Sequence, residues 1–384
     1  MASEKIIIFG ITGSIGTNSE KIIYAFKDRF EIVGCSAGSN IAGLNQMLSR
    51  HPKIKSVVVK DSEDIIKVDK IDGNVSAGRN ALFELLDLKP DKIIMALPGK
   101  EGWKITVEAV KRGIPVCLAN KESLVIAGFF LGNAVTSDRS KIIPIDSEHA
   151  ALMQLIEKTP SCQIKKVFIT ASGGALRDMS IDEMLNSDAA QALKHPVWNM
   201  GAKVTVDSAT MLNKGLELIE AFWLFNIAPE KLGVIVHPEV DIHAALILKD
   251  GSSISQIAPS SMMIPIASAL SYPEMLPVTE KFPELEFCYS GKNMRFMDPD
   301  FNKYPLLKKA FDMLIAEDFS GMVAFAISDE VAVSKFLRGE IKVKGIHEIV
   351  LKSVDRFGNL PSPETINDID KFIDDIEKFA NGCY

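Results

Sequence analysis

The chain has 384 residues, 47% hydrophobic and 24% charged, long enough for two or three domains with a sizeable core. Its 43 basic residues stand against 50 acidic ones, a net charge of −7, which excludes a nucleic-acid partner held by a general basic field but leaves room for a local cationic pocket. The five cysteines (Cys35, Cys117, Cys162, Cys288, Cys383) are dispersed without a C-x-x-C pair, and no apolar run reaches the roughly 18 residues of a membrane helix. With no signal or transit pattern at the start, the expectation is a soluble, cytoplasmic protein with reduced thiols.

Residues 5–9 form an apolar, β-branched run that leads into Gly10, Gly13 and Gly16 and then a helical pattern over 17–26. Strand, glycine turn and helix in this order are a relative of the dinucleotide fingerprint. Glycine lets the backbone approach a pyrophosphate, and the helix start offers N–H groups and the positive end of its dipole. Thr12 and Ser14 can add hydroxyl donors, and the alternative is a plain tight turn. A second strand over 31–35 ends in Gly38, Ser39 and Asn40. An NAD site places an acid here for the ribose 2′-hydroxyl. None is present, which leans to NADP, although no Arg or Lys stands at the strand end either. Ser39 and Asn40 can equally cap a helix.

Strands are then expected at 56–59, 92–97, 116–119 and 141–145, alternating with helices around 41–49, 77–86, 103–112 and 124–136. Such alternation predicts a parallel sheet covered on both faces, with ligands beyond the carboxyl ends of its strands. Asn120, Lys121 and Glu122 follow one such end, and Asp146, Ser147 and Glu148 another. In an extended segment Asp146 and Glu148 face one side. Two adjacent carboxylates invite a divalent ion, and oxygen donors favour Mg²⁺ or Mn²⁺. The equal alternative is a strand-end acid followed by a helix cap.

A second domain begins here. A strand over 164–170 ends in Ala171, Ser172, Gly173 and Gly174, a plausible phosphate nest or a plain turn. The most polar stretch of the chain runs from His195 to Glu220. It holds His195 and Trp198 in a loop, a short alternating run over 203–207, then Ser208, and a helical pattern carrying Asn213, Lys214 and Glu217. Asn213 and Glu217 are four apart and share a helix face, with Lys214 beside them. His237 precedes and His243 enters a strand-like run over 242–249, which Asp250-Gly251 turns into a hairpin with 252–257. Residues 272–303 read as a linker, and 304–384 as four helices with no evident chemistry.

At this point the chain resembles the 1-deoxy-D-xylulose 5-phosphate reductoisomerases. The resemblance rests on the Gly10–Gly16 turn, Leu118 to Val125, Pro144 to His149, Ala171 to Gly174 and above all His195 to Glu220. It implies an α/β fold: an N-terminal Rossmann-like parallel sheet binding NADPH (1–145), a central α+β catalytic domain (146–285) with a lid near 195–201, a linker (286–303) and a C-terminal helical bundle (304–384). It implies a homodimer acting on a small phosphorylated sugar. The net charge and the absence of a long apolar run already give the expectation of no nucleic-acid or membrane partner.

Residue by residue, the resemblance makes Asp146, Glu148 and Glu217 the ligands of a Mg²⁺ or Mn²⁺ ion. Lys121, Ser147 and Glu148 lie near the reacting part of the substrate. Ser172, Ser208, Asn213, Lys214 and His243 contact its phosphate and hydroxyls, and His195 and Trp198 form the lid. Thr12, Gly13, Ser14, Ile15, Gly38, Ser39, Asn40, Asn120, Glu122 and Gly201 match the NADPH contacts. The implied reaction rearranges 1-deoxy-D-xylulose 5-phosphate and reduces the resulting aldehyde with NADPH to 2-C-methyl-D-erythritol 4-phosphate.

The chain departs from the family pattern at Glu239-Val240, at Ser261 and Met263, at Ser39 where a basic residue is common, and in the bundle run Ala326-Ile327-Ser328-Asp329-Glu330. Two other readings compete. A different NADP-linked oxidoreductase would not need three carboxylate ligands, and a non-catalytic nucleotide-binding relative would not need the intact ligand set.

Overall fold

A computed structural model describes residues 3–138, 141–194, 197, 198, 200–361, 363 and 365–383. They form two compact units. One comprises Met1–Ser123, Phe130–Ala150 and Ser261–Glu286, and the other Leu124–Phe129, Ala151–Ser260 and Phe287–Tyr384.

The first unit is α/β. Its elements run β1 (Glu4–Phe9), α1 (Ser14–Ala25), β2 (Phe30–Ala37), α2 (Ile41–Arg50), β3 (Ser56–Val59), β4 (Asn74–Ala77), α3 (Arg79–Glu84), β5 (Lys92–Met95), α4 (Trp103–Lys111), β6 (Val116–Leu118), α5 (Lys121–Ser137) and β7 (Ile142–Pro144). The strands pair in parallel in the order β4-β3-β2-β1-β5-β6-β7. Ile6, Ile7, Ile8 and Phe9 of β1 are all fully buried, as a sheet covered on both faces requires. The chain lays down β1 to β4 in one direction and β5 to β7 in the other. The strand order therefore switches between β1 and β5, where such sheets bind their ligands. Helix α2 shows why the covering layer forms: Ile41, Leu44, Met47 and Leu48 repeat at helical spacing and are buried.

In the second unit, α6 (Ser147–Lys158), whose first residues still belong to the first unit, leads to β8 (Ile164–Ala171). Then come α7 (Ile181–Leu185), α8 (Ala189–Ala192), α9 (Ala202–Ala209), α10 (Leu212–Phe225), β9 (Leu232–Val236), β10 (Ile242–Leu248) and β11 (Ser253–Ile257). The sheet order is β11-β10-β8-β9, with β8 and β9 parallel and the other pairs antiparallel. Asp250-Gly251 turns β10 into β11, with Gly251 at φ +90.

Helix α11 (Met263–Ser271) returns to the first unit, where Lys92 Nζ donates to Leu270 O at 2.6 Å. The remaining helices, α12 (Pro305–Ile315), α13 (Phe319–Leu337), α14 (Val343–Phe357) and α15 (Ile366–Asn381), pack together, with Phe325 and Phe336 of α13 fully buried. Residues 287–303 are tied into the second unit by reciprocal backbone bonds between Val236 and Met297, at 2.8 and 2.9 Å.

The α/β fold class follows the sequence expectation, and two local readings change. The alternating run over 203–207 is helical, inside α9. Its two ends pair across one turn, Lys203 Nζ to Asp207 Oδ2 at 2.7 Å, and Thr205 Oγ1 donates back to Gly201 O at 3.0 Å. Strands β4 and β9 were not anticipated, and the helix expected from 77 starts only at Arg79 because β4 occupies Asn74–Ala77. Of the two readings left open for Asp146, the structure shows the helix cap. Its Oδ1 accepts from Glu148 N–H at 3.2 Å, and its carbonyl accepts from Ala150 N–H at 2.9 Å.

Candidate active site

In the first unit the chain turns after β1 at Gly10, in the left-handed region at φ +85. A Cβ on Gly10 would lie 2.7 Å from Ala96 O, and one on Gly16 only 2.3 Å from Gly10 O. The turn and the first turn of α1 therefore lie closer together than any side chain allows. Gly10 N–H donates to Ser36 O at 3.1 Å and Ser36 Oγ at 3.0 Å, and Gly13 N–H to Gly10 O at 3.0 Å. Gly13 is the N-cap of α1, which has no side-chain cap and no acidic residue in its first turn. Thr12, Gly13, Ser14 and Ile15 thus surround a helix start suited to an anion, and the Cβ-excluding cradle fits a pyrophosphate. One strand over, Gly38, Ser39 and Asn40 follow β2. Asn40 Oδ1 accepts from Gly43 N–H at 2.9 Å, so the capping alternative holds for Asn40.

Strands β6 and β7 lie side by side with Leu118 opposite Pro144, so the residues that follow them emerge together. This register brings Lys121 Nζ to 2.9 Å from Asp146 Oδ2. Asp146 Oδ1 also lies 3.0 Å from His149 Nδ1, and Ser147 Oγ donates to Glu148 Oε2 at 2.5 Å. Asn120 is buried and organises the start of α5. Its Nδ2 donates to Gly99 O at 2.7 Å and to Glu122 Oε2 at 3.0 Å, while its Oδ1 accepts from Ser123 N–H at 3.1 Å. The cluster holds a cation and several oxygen acceptors in a largely buried corner.

In the second unit the Ser172-Gly173-Gly174 turn closes on the end of α9. Gly174 has φ +71, and a Cβ there would lie 2.4 Å from Ser208 O. Only glycine lets this turn approach the backbone of Ser208 so closely. Gly174 N–H donates to Ser172 Oγ at 3.1 Å, and Tyr304 OH donates to Gly173 O at 3.3 Å. Burial pushes the Tyr304 phenol up to about 12, so it remains a donor.

On α10, Asn213 Nδ2 donates to Glu217 Oε1 and Lys214 Nζ to Glu217 Oε2. Lys214 is 4% and Glu217 1% exposed, so this amide, ammonium and carboxylate form a buried group rather than the solvated charges usual for a helix. His243 is buried, its ring 6.4 Å from that of Trp198. Gly201 is the N-cap of α9. His195 lies outside the described residues, so of the expected lid pair only Trp198 is placed.

Family models match residues 6–128 (1-deoxy-D-xylulose 5-phosphate reductoisomerase), 142–225 (the C-terminal domain of that enzyme) and 257–378 (DXP reductoisomerase C-terminal domain). The chain belongs to the 1-deoxy-D-xylulose 5-phosphate reductoisomerase family. It is 37% identical to the reductoisomerase of Thermotoga maritima over 97% of this chain and 94% of that one. It is 38% identical to that of Thermodesulfovibrio yellowstonii over 92% of each. A solved DOX-P reductoisomerase in complex with NADPH, fosmidomycin and magnesium superposes with TM-score 0.89 at 29% identity, covering 99% of this chain and 98% of that one. The Zymomonas mobilis enzyme in complex with NADPH gives 0.84 at 31% identity, with the same coverage.

The departures at Glu239-Val240, Ser261 and Asp329 have local partners. Glu239 Oε1 accepts from Arg295 Nε at 2.6 Å, and Val240 takes φ +55 with its carbonyl held by Ser260 Oγ at 3.1 Å. Ser261 Oγ accepts from Met263 N–H at 3.3 Å at the start of α11. Asp329, fully buried on α13, accepts from Lys203 Nζ at 2.5 Å, and Lys203 also pairs with buried Asp207. The sequence reading missed this Lys203–Asp207–Asp329 group. The i, i+4 spacing of Lys203 and Asp207 was a usable signal once 203–207 is read as helix, whereas nothing local marks Asp329. His149 was likewise passed over, although it stands one turn from Asp146.

Proposed function

We propose that this chain converts 1-deoxy-D-xylulose 5-phosphate to 2-C-methyl-D-erythritol 4-phosphate, by a metal-dependent skeletal rearrangement followed by reduction with NADPH. The observation that carries this reading is Glu217, a buried carboxylate gripped by Asn213 and Lys214. It places an anion and two phosphate-type donors on one helix face in a chain of this family.

Asp146, Glu148 and Glu217 are the proposed ligands of one divalent ion. Their all-oxygen donor set suits Mg²⁺ or Mn²⁺. Thr12 to Ile15, Gly38 to Asn40, Asn120, Glu122 and Gly201 are the proposed NADPH contacts. When bound, the ion stabilises charge on the substrate's carbonyl and hydroxyl oxygens, and the dinucleotide supplies the hydride.

The chain's own residues do the rest. Ser172, Ser208, Asn213, Lys214 and His243 hold the phosphate, a remote anchor whose binding energy orients the reacting carbons. Lys121 and Ser147 hydrogen-bond the substrate's hydroxyl end beside Asp146 and Glu148. Trp198 and His195 cover the sugar and exclude water. We further propose a homodimer and a cytoplasmic location, together with a three-part division in which the second unit holds a catalytic layer and a helical bundle. No helix among the described residues is long and apolar enough to cross a membrane.

The test is NADPH consumption, followed by absorbance, with the sugar phosphate in the presence of Mg²⁺ or Mn²⁺ and with excess chelator. Consumption only with both substrate and metal supports the reading, and fosmidomycin should block it. Turnover unaffected by chelator sinks the metal assignment, and consumption with simple aldehydes instead of the sugar phosphate sinks the reaction. Light scattering after gel filtration tests the dimer.

A further inference from the structure

A chain that prefers NADPH needs a positive charge beside the ribose 2′-phosphate, yet the end of β2 offers only Gly38, Ser39 and Asn40. The sheet register supplies one from the neighbouring strand. Ala37 of β2 is opposite Val59 of β3, and Val59 is opposite Ala77 of β4. Gly38, Lys60 and Gly78 therefore leave the sheet side by side on its carboxyl rim, about 5 Å apart from strand to strand. Gly78 N–H still donates to Val59 O at 3.1 Å, so the register persists to the rim.

Lys60 is exposed, and among the described residues it makes no hydrogen bond or ion pair. The next cation on this rim, Arg79, is engaged by Glu101. The acid beside Lys60, Asp61, is extended at φ −111 and ψ 139, so side chains at 60 and 61 leave on opposite sides. Its carbonyl is taken by Asp64 N–H at 3.0 Å.

Around Gly38 there is open space: a Cβ built there meets nothing within 4 Å. Ser39 is exposed, and its hydroxyl has no partner among the described residues. Asn40 is committed to capping α2, which has no acid in its first turn and so presents a positive dipole end to the same rim.

We propose that Lys60, reaching across from β3, is the 2′-phosphate-selecting residue of this chain, with Ser39 Oγ as its hydrogen-bonding companion. This rests on the NADPH-binding reading above. A flexible ammonium is suited to the task because it can meet a dianionic phosphate from a neighbouring strand as a point charge. The arrangement substitutes for a basic residue at position 39 itself.

The experiment is a fluorescence titration of the purified full chain with NADPH and separately with NADH, without substrate, comparing the native protein with Lys60→Gln and Lys60→Arg. Lys60→Gln should raise the Kd for NADPH about tenfold and leave that for NADH within twofold. Lys60→Arg should restore NADPH binding. The native protein should lose NADPH affinity with added salt more steeply than Lys60→Gln does. Unchanged NADPH affinity in Lys60→Gln overturns the assignment, and so does an equal loss for both dinucleotides. A native protein that binds neither dinucleotide overturns the cofactor reading as well.

Discussion

Lys121 Nζ sits 2.9 Å from Asp146 Oδ2, each residue having just left one of two adjacent parallel strands. The pair joins the start of α5 to the start of α6 and puts an ammonium against a proposed metal ligand. A lysine there opposes a divalent cation electrostatically while orienting Asp146. Lys121→Met should therefore lower turnover by about a hundredfold or more, through lost substrate positioning. The same change should lower, not raise, the Mg²⁺ concentration giving half-maximal activity, because a competing positive charge is gone. A metal titration of steady-state rate reads both effects, and weaker metal activation in the variant would contradict the geometry.

Glu217→Gln keeps the volume and removes the charge. Turnover should fall about a thousandfold, on the order of 4 kcal/mol of transition-state stabilisation. Circular dichroism should show a retained fold, because the amide oxygen still accepts from Lys214 while the amide NH2 donates to Asn213 Oδ1 once the Asn213 amide flips. An active variant would remove Glu217 from the ligand set.

Gly174→Ala adds a Cβ 2.4 Å from Ser208 O at φ +71. The backbone strain alone costs about 1–3 kcal/mol, and the clash must also push the Ser172 turn away from α9. The KM for the sugar phosphate should rise about tenfold along with the loss of stability. Gly339→Ala is the control: φ there is +76, with nothing within 4 Å of the added carbon. It should cost stability without altering KM.

Lys203 holds the buried carboxylates of Asp207 and Asp329 together. Lys203→Met leaves both without it and should cost about 3–5 kcal/mol in urea unfolding. Asp329→Asn should cost less, since Lys203 keeps Asp207. The double variant should be non-additive by about 0.5–3 kcal/mol. Additive costs would show that the three residues do not act as a group.

His347, buried on α14, has an Nε2 with no hydrogen-bond partner among the described residues, and burial lowers its pKa from 6.5 to about 4. The unfolded chain binds a proton on this residue below pH 6.5, and the folded chain binds it only near pH 4. Stability is therefore full above pH 6.5 and declines as the pH falls toward 4, by about 3 kcal/mol. His347→Leu should flatten that part of the stability–pH curve. A curve with unchanged slope between pH 6.5 and 4 would rule out His347 as its source.

Much of the fold was legible because its signals are local. Alternating apolar runs and helical patterns marked the parallel sheet, and the Gly10, Gly13 and Gly16 spacing marked the turn at its switch point. The Asp250-Gly251 hairpin was readable for the same reason. The alternating run over 203–207 misled because a period-two apolar pattern in so short a segment cannot be told from a buried helix. Its helicity comes from the Lys203–Asp207 pair and from packing against α10 and α13. For Asp146 and Glu148 the sequence left an acidic pair and a helix cap equally open, and the start of α6 at Ser147 decides for the cap.

The sequence by itself determined the family, the α/β class and the identity of the chemically capable residues. These depend on residue types and on spacings of a few positions along one chain. Tertiary structure alone decided which of those residues share an environment. Lys121 meets Asp146 because β6 and β7 are in register, and the Ser172-Gly173-Gly174 turn closes on the backbone of Ser208 because Gly174 has no Cβ. Glu217 is buried with Asn213 and Lys214 rather than solvated. Lys60 stands beside Gly38 because β3 lies next to β2, a neighbourhood set by hydrogen bonds between strands that are 22 residues apart in the register of Ala37 and Val59.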